Sequence, residues 1–372
     1  MSLSGDADQN LANVRISKVT TENFRNLKNL EWDVAQDFVI LVGPNASGKT
    51  NFLESIFYAS TLQAFPPGKS WEIITFGSDY FRVSFEIEQK GLEYYYGRKE
   101  NNRYMRSQRI NGIKKMPSQI LGALPSVSFL PQDLNLLRLS PGVRREYLDE
   151  VLLQTESEYE EVMIEYAKVL TQRNELLYRI ALGQAQEQEL DFWDQKLSFL
   201  GSTIMGARTK LAEFLNAGLE DVYTSLTGSE IDLRFLYTTS GIEEISQENI
   251  YDQLLRHRNQ DVASGRTETG PHRDDWRIED SNTRNLARFL SRGEQRSVII
   301  ALKMQEFQFL KDVLGVEPVM LLDELLAELD KTRQGHLLNH LPPKTQKFLT
   351  TTDIDALPES VVSQALIITI PK

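Results

Sequence analysis

The sequence contains no cysteine and only four histidines among its 372 residues. A chain without thiols cannot form disulfides, use a thiolate nucleophile or build a cysteine zinc site, and its composition suits a reducing compartment. Imidazole chemistry is confined to His257, His272, His336 and His340. Chemistry in this protein must therefore come mainly from carboxylates, hydroxyls, amines and backbone groups.

Positive charge and long apolar segments are also scarce. The chain has 41 Lys and Arg against 53 Asp and Glu, a net charge of -12, so no global basic field attracts nucleic acids or anionic membranes. No apolar run approaches the roughly 18 residues of a membrane-spanning helix, and residues 1–10 lack the cationic start and apolar centre of a signal peptide. We therefore expect a soluble, cytoplasmic protein with no membrane partner, in which any nucleic-acid contact is local.

Short apolar segments towards both ends of the chain predict strands. Strands are predicted at 14–19 and 32–42, and alternation over 70–88 and 92–96 indicates antiparallel strands with one buried face. Apolar runs at 319–322, 348–349 and 365–370 predict strands buried on both faces. These segments together predict an α/β fold with a mixed sheet.

The middle of the chain is helical in pattern. From 144 to about 223, apolar residues recur every three or four positions with a break at 183–188, which predicts two antiparallel helices of about 25 residues, roughly 37 Å long. A packed bundle and a projecting coiled coil both satisfy this pattern. We predict three segments: a first head part at 14–138, a helical arm at 139–269 and a second head part at 270–372.

A glycine-rich loop follows the apolar strand at 38–42. The loop reads Gly43-Pro44-Asn45-Ala46-Ser47-Gly48-Lys49-Thr50, which fits the pattern of Gly, four residues and Gly-Lys-Ser/Thr. Its backbone N–H groups would wrap a phosphate, Lys49 would neutralise the β- and γ-phosphates, and Thr50 would bind Mg²⁺. A chance match has a probability of about 1% from residue usage. The sequence therefore predicts a site for ATP and Mg²⁺.

Two adjacent carboxylates end the apolar run at 319–322. We assign Asp323 to Mg²⁺ through water and Glu324 to the attacking water as general base. Adjacent acids at a strand end are often only solvated turn residues. The phosphate loop in the same chain favours the functional interpretation.

A third motif, Leu290-Ser291-Arg292-Gly293-Glu294-Gln295, precedes a segment with helical spacing. Ser291 and Glu294 can form a capping box, and the same helix end can bind an anion. The order of the three motifs predicts an ATP-binding-cassette head with an inserted helical arm. In that class the signature helix faces the nucleotide of a second subunit, so Ser291 and Gly293 would complete a site in an ATP-dependent homodimer.

Three further positions belong to this prediction. Asp330, in the loop 327–330, would lie at the dimer interface beside the nucleotide. Gln132 would sense Mg²⁺ and water, although a polar loop residue there needs no function. Thr352 stands where cassette ATPases often carry a histidine; it could hydrogen-bond a γ-phosphate but brings no positive charge, which puts fast hydrolysis in doubt.

Several motifs resemble the RecF family of bacterial recombination proteins, over essentially the whole chain from Val14. They are Asn23-Phe24-Arg25-Asn26-Leu27, the phosphate loop, Leu139-Ser140-Pro141 with Arg144-Arg145-Glu146-Tyr147-Leu148-Asp149, Thr269-Gly270-Pro271-His272-Arg273-Asp274-Asp275, and the segments 290–296, 322–330 and 350–353. The sequence departs from the family pattern at Glu294, at 324–326 and in its acidic total charge, which puts rate and DNA affinity in question.

The resemblance implies an SMC-like ATPase with a short arm and with Arg25 near the nucleotide. It also implies slow, DNA-stimulated ATP hydrolysis, binding to single- and double-stranded DNA at gaps and junctions, and dimerisation with ATP. RecF-like proteins act in DNA repair, replication and recombination with RecR and RecO, helping RecA replace single-strand-binding protein.

A cluster of seven cations is the candidate DNA contact, and several tyrosines lie among them. The cations are Arg98, Lys99, Arg103, Arg106, Arg109, Lys114 and Lys115, opposed only by Glu100. A solvated hairpin with a chance run of cations would look the same. His272 and Arg273, beside two acids, could likewise hold an interdomain salt bridge or touch nucleotide or DNA.

Two other functions remain open at this stage. A DNA-binding structural protein that binds ATP but barely hydrolyses it would be consistent with Thr352. The ATPase subunit of a membrane transporter is the other. It is disfavoured by the helical arm, whose insertion separates Lys49 from Ser291 by 242 positions (291 minus 49).

Overall fold

The computed structural model describes residues 12–64, 70–88, 90–99, 103–328 and 331–370. It divides the chain into two compact units, residues 1–133 with 306–372 and residues 134–305. The strands of the first unit are β1 (Ala12–Asn13), β2 (Ile16–Glu22), β3 (Leu30–Asp33), β4 (Phe38–Val42), β5 (Tyr80–Ile87), β6 (Lys90–Arg98), β7 (Tyr104–Ile110), β8 (Ile113–Lys115), β9 (Ser126–Phe129), β12 (Val316–Glu317), β13 (Val319–Asp323), β14 (Lys347–Thr351) and β15 (Leu366–Thr369). Its helices are α1 (Lys49–Thr61), α7 (Lys331–His340) and α8 (Glu359–Val362).

The second unit is mainly helical. It contains α2 (Pro141–Thr155), α3 (Tyr159–Ala181), α4 (Leu190–Thr227), β10 (Arg234–Thr238), α5 (Gln247–Ser264), β11 (Asp275–Glu279) and the start of α6 (Arg292–Leu314). No helix among the described residues is both long enough and apolar enough to cross a bilayer.

A five-stranded parallel sheet carries the short apolar runs. Its order is β15-β4-β14-β13-β9, so β14 separates the strand before the phosphate loop from the strand that ends in the two acids. β13 is buried throughout and β14 nearly so, which confirms the predicted burial on both faces. β15 is only half-buried, because it lies at the edge of the sheet.

A six-stranded antiparallel sheet, in the order β3-β2-β5-β6-β7-β8, forms the other layer. The alternation predicted for β5 is confirmed: Phe81, Val83 and Phe85 are buried, and the Phe81 ring meets Tyr58 of α1 edge to face at 5.1 Å. Part of the prediction for 70–88 is wrong, because its start, Ser70–Ile73, is a 3-10 turn. The single strand predicted at 32–42 is also wrong; the chain leaves the strand conformation at 34–37, which separates β3 from β4, and these two strands join different sheets.

The second unit is a packed bundle. α3 packs against both α4 and α5, and Arg173 of α3 is fully buried between Asp194 and Asp261 at 2.6 and 2.7 Å. The break at 183–188 is confirmed, but α4 runs 38 residues, to a left-handed cap at Gly228. β11 pairs with β10, so the compact unit extends past residue 269, where the predicted arm ends.

Candidate functional site

The phosphate loop lies at the carboxyl end of the parallel sheet. β4 ends at Val42, and α1 begins at Lys49. The Lys49 side chain is only 4% exposed, and its ammonium donates to the carbonyl oxygens of Gly43 and Pro44 at 2.9 and 3.2 Å. It also lies 3.5 Å from a Glu324 carboxylate oxygen. A buried cation therefore stands directly beside the acidic end of β13.

Asn26 hydrogen-bonds the backbone of the phosphate loop, a role that the sequence did not indicate. Its Nδ2 donates to the Ser47 carbonyl at 3.0 Å and to the Ala46 carbonyl at 3.4 Å, while its Oδ1 accepts from Asn51 at 2.8 Å. Gly48 has φ +114°, and a Cβ there would lie 2.7 Å from Asn26 Oδ1, so only glycine fits. The Ser47 carbonyl and the Gly48 N–H belong to the same trans peptide, in which the two groups point in opposite directions. Because Asn26 binds the carbonyl, the Gly48 N–H points away from Asn26.

The two acids are held by one hydroxyl on the neighbouring strand. Thr350 of β14 donates to Asp323 Oδ1 at 2.7 Å and accepts the backbone N–H of Glu324 at 2.9 Å. Glu324 has φ +47°, a left-handed conformation uncommon for residues other than glycine. The Thr350 side chain is 1% exposed. The family resemblance includes residues 350–353, but nothing in the sequence assigns Thr350 a role in holding the two acids.

The oxygen atoms at this edge fit a magnesium ion. The Thr50 hydroxyl lies 3.0 Å from both carboxylate oxygens of Asp323. Mg²⁺ favours such oxygen donors, one or two from the protein together with phosphate oxygens of the substrate. Burial raises the pKa of Asp323, while hydrogen bonds from Thr350 and Thr50 lower it.

The side chain of Arg25 bonds Glu54 and Glu72, which lie outside the phosphate loop. It donates to both Glu54 oxygens at 2.8 and 2.7 Å and to the Glu72 carbonyl at 2.8 Å. The hydrogen bond to Glu54 raises the pKa of Arg25. In this conformation Arg25 ties its own segment to α1, and a contact with nucleotide remains a prediction.

The remaining predicted residues of the first unit follow strands of the same sheet. Gln132 is exposed and comes three residues after β9, and Thr352 is exposed directly after β14. Because β9, β13 and β14 run parallel, both lie towards the edge that carries Asp323. Asp330 lies outside the described residues.

The signature motif lies in the second unit, where the predicted capping box is confirmed. The Ser291 N–H donates to Glu294 at 2.8 Å, and the Ser291 hydroxyl accepts the Glu294 N–H at 3.3 Å. α6 begins at Arg292, and Gly293 falls in its first turn. Ser291 is exposed. Its role at a nucleotide stays a prediction.

The segment around His272 has partners inside the second unit. His272 bonds the Tyr166 hydroxyl at 2.7 Å, and burial lowers its pKa to about 4. Arg273 pairs with Glu268 at 2.9 Å. Asp274 accepts a tyrosine hydroxyl and a backbone N–H, and burial raises its pKa to about 6. These contacts are structural bonds within the unit.

The cationic cluster lies on β6, β7 and β8, with Lys99 directly after β6 and Arg103 directly before β7. Its members on the strands are divided between the two faces of the antiparallel sheet. Cross-strand partners share a face, which places Arg106 opposite Tyr96 on one side and Arg109 opposite Glu93 on the other. Arg109 pairs with Glu93 at 2.8 Å. The seven cations therefore do not form a single continuous surface.

A mixed α/β core, a phosphate loop with its lysine and an acidic strand end next to it define a P-loop ATPase head of the SMC type. A family model described as RecF/RecN/SMC N terminal domain matches residues 15–367. The chain belongs to the RecF family. It is 34% identical over 345 residues to the DNA replication and repair protein RecF of Moorella thermoacetica, covering 92% of this chain and 91% of that protein. It is 33% identical over 342 residues to the RecF protein of Clostridium acetobutylicum, covering 91% and 93%.

Solved structures agree with this assignment. The structure described as the recombination mediator protein RecF-ATP in the RecFOR pathway matches with a TM-score of 0.84 and 27% identity, over 95% of this chain and 96% of that chain. An Smc head bound to the C-winged helix domain of ScpA matches with a TM-score of 0.51 and 16% identity, over 95% and 93%, and shares the fold.

Proposed function

We propose that this chain is an ATP-dependent DNA-binding protein of recombinational repair and replication-fork maintenance, in which ATP joins two copies into a clamp. One observation carries the proposal. Thr50 meets Asp323 at 3.0 Å while Lys49 meets Glu324 at 3.5 Å, so a loop lysine and hydroxyl converge on two acids at one sheet edge. The ATP in the structure of a relative supports the same ligand here.

The loop would bind the triphosphate by an exchange of partners. The Lys49 ammonium would leave the Gly43 and Pro44 carbonyls for phosphate oxygens, and the loop N–H groups would take the remaining charge. Thr50 and Asp323 would hold Mg²⁺, which neutralises phosphate charge when bound. Glu324 would orient the attacking water and accept its proton.

Hydrolysis is expected to be slow and stimulated by DNA. Thr352 can donate a hydrogen bond to a γ-phosphate but supplies no positive charge to the transition state. The same observation favours the second candidate, a structural DNA-binding protein that keeps its ATP. Gln132, on the same sheet edge, would assist Mg²⁺ and water in either case.

The clamp requires a second copy. Ser291 and Gly293 of one copy would contact the nucleotide in the loop of the other, with Asp330 at the interface, so that each copy supplies half of both sites. By family resemblance, this cycle would help load RecA at single-strand gaps with RecO and RecR. The relative described as a recombination mediator of the RecFOR pathway supports this role.

Phosphate release, measured with and without gapped duplex DNA, tests the proposal. We expect slow release by the wild type, faster release with gapped DNA, and none by Lys49→Ala. No measurable release by the wild type, with or without gapped DNA, would favour the second candidate. Unchanged release by Lys49→Ala would exclude the loop from the mechanism.

A further inference from the structure

We propose that Gln295 is a positioning residue of the signature motif: its side-chain amide fixes the peptide that carries Ser291, and so orients the Ser291 hydroxyl towards the nucleotide of the second copy. The inference rests on the proposed function and deepens it, because it names the residue that orders each copy's half of the shared site. Gln295 is buried, so it acts through Ser291 and not by touching the nucleotide.

The amide of Gln295 holds two backbone carbonyls at once. The residue is 3% exposed, and its Nε2 donates to the carbonyl oxygen of Leu290 at 2.7 Å and to that of Ala287 at 3.1 Å. A carboxamide nitrogen has two hydrogens to donate, so one group serves both acceptors. Loss of the amide would leave both carbonyls without this donor, which water does not easily replace at a buried side chain.

The peptide between Leu290 and Ser291 is bound at both of its polar groups. Its C=O accepts the Gln295 amide, and its N–H donates to the Glu294 carboxylate at 2.8 Å. The next peptide is also held, because the Ser291 C=O accepts the Gln295 backbone N–H at 2.9 Å at the start of α6. A residue between two fixed peptide planes has little freedom in φ or ψ, so the Ser291 hydroxyl moves mainly by rotation about χ1.

The Ser291 hydroxyl keeps a hydrogen that an anion can accept. The residue is exposed, and its oxygen accepts the Glu294 N–H at 3.3 Å. Accepting this bond uses a lone pair and leaves the O–H hydrogen to be donated, for example to a γ-phosphate oxygen. The helix cap and the contact with a phosphate are therefore compatible, provided that the backbone of Ser291 stays in place.

The second bond of Gln295 anchors the segment 285–290, which leads to the signature. At its start, Asn285 forms a bridge to Glu279 at the end of β11, and its Oδ1 accepts the Ala287 N–H at 3.1 Å. The segment is therefore tied to a strand at one end and to α6, through Gln295, at the other. Removing the Gln295 amide would release the end that carries the signature and leave the strand end bound.

Phosphate release by Gln295→Met tests the inference on the full chain. Methionine keeps the length of the side chain and removes both donors. The matched control is Gln305→Met, about 15 Å further along α6. Gln305 is 8% exposed and donates to a single carbonyl oxygen, that of Gly218, at 3.2 Å.

The two variants should differ in maximal rate and agree in nucleotide binding. We expect release by Gln295→Met to fall about 10- to 100-fold at saturating ATP, because displacing a contact group by about 1 Å can cost about 100-fold. The control should change by less than about twofold, since its bond lies away from the signature. Both should bind ADP as the wild type does, because the phosphate loop belongs to the other unit.

A mixture of two variants separates positioning from a general loss of structure. Lys49→Ala disables the loop and keeps the signature, whereas Gln295→Met does the reverse. A two-fold dimer contains the same contact twice, so a mixed dimer has one intact site, made by the loop of the Gln295→Met copy and the signature of the other. We expect the mixture to release phosphate faster than the sum of the two variants alone.

Asn285→Ala is a second variant, at a half-buried position. It removes the acceptor of the Ala287 N–H and loosens the same segment from its other end. We expect release to fall about fivefold, the worth of one ordinary hydrogen bond, with ADP binding unchanged.

Wild-type release by Gln295→Met, equal losses in Gln295→Met and Gln305→Met, or a mixture no faster than its parts would each overturn the inference. If Gln295→Met loses ADP binding, Asn285→Ala decides, and wild-type release there overturns the inference. No release and no ATP-dependent dimer from the wild type would refute the proposed function itself.

Discussion

Thr350→Val is the change that most directly tests how the acidic edge is built. Valine has nearly the shape of threonine, so the substitution removes one hydroxyl and little else. Asp323 then loses a donor at 2.7 Å, and the Glu324 N–H loses its acceptor at 2.9 Å. Both acids would be less firmly held, and Glu324 would be free to leave its left-handed conformation at φ +47°.

The structure sets the expected size of the effect. Removing one partner of a buried hydrogen bond leaves the other unsatisfied and costs about 1–3 kcal/mol, so we expect the free energy of unfolding to fall by about 2 kcal/mol. Loss of a residue that orients a metal ligand typically reduces metal affinity or activity about 10- to 100-fold. We therefore expect ATP hydrolysis to fall by that factor and half-saturation to need more Mg²⁺.

Phosphate release as a function of Mg²⁺ concentration, at saturating ATP, measures both effects. Thr350→Ser keeps the hydroxyl and should restore most of the activity. Thr351→Val is a matched control on the next residue of β14, since among the described residues the Thr351 hydroxyl bonds the carbonyl and the N–H of nearby Asp353 and neither acid. If Thr350→Val hydrolyses ATP with wild-type Mg²⁺ dependence, or if Thr351→Val loses as much, Thr350 does not position the acids.

Three further predictions concern the loop and the helical unit. Asn26→Ala should weaken ATP-analogue binding about tenfold, because two loop carbonyls lose their donor. Arg173→Met should lower the free energy of unfolding by about 3 kcal/mol in urea, since it leaves Asp261 buried without its arginine and leaves Asp194 with Arg258 in place of two arginines. His272→Gln should remove a pH dependence: the folded-state pKa of about 4 lies below the unfolded value near 6.5, so stability falls as pH drops through that window, by about 2 kcal/mol at pH 5.

Each of these predictions has a distinct control. Asn51→Ala removes the bond to Asn26 but leaves both loop carbonyls paired, so it should bind ATP more tightly than Asn26→Ala does. Arg179→Met lies on the same helix outside the buried network, and an equal loss of stability there would contradict the account of Arg173. For His272, the unfolding free energy of the variant minus that of the wild type must rise by about 2 kcal/mol between pH 7 and pH 5, because only the wild type loses stability over that range. A constant difference would mean that the ring does not titrate as described.

Local sequence patterns predicted the parts of the site that are continuous in the chain. The strand, glycine-rich loop and helix around Lys49 fall within one short segment, and Asp323 and Glu324 are adjacent residues at the end of an apolar run. Thr350 could not be found in this way. Its importance comes from the parallel pairing of β14 with β13, which sets Thr350 beside Asp323, and no local pattern along the chain predicts which strands pair.

Other misses have their own physical causes. Arg25 belongs to the Asn23–Leu27 motif of the family resemblance, but the sequence does not predict its ion pair with Glu54. That pair depends on which side of α1 faces the sheet. The division of the cationic cluster between two faces could have been predicted from the sequence. Arg106 and Arg109 are an odd number of residues apart on one strand, so their side chains must point to opposite sides. The length of α4 could also have been predicted, since the helical spacing of apolar residues continues through Leu219, Tyr223 and Leu226.

Mass in solution by light scattering tests the shared nucleotide site most directly. With Glu324→Gln, which should bind ATP and not hydrolyse it, we expect twice the 42.6 kDa of one chain in ATP and a single chain in ADP or without nucleotide. Lys49→Ala should stay a single chain at every ATP concentration, and Ser291→Arg should bind ATP yet fail to dimerise. A dimer that forms without ATP or survives Lys49→Ala, or a Glu324→Gln protein that remains monomeric in saturating ATP, would contradict the claim that two copies enclose the nucleotide.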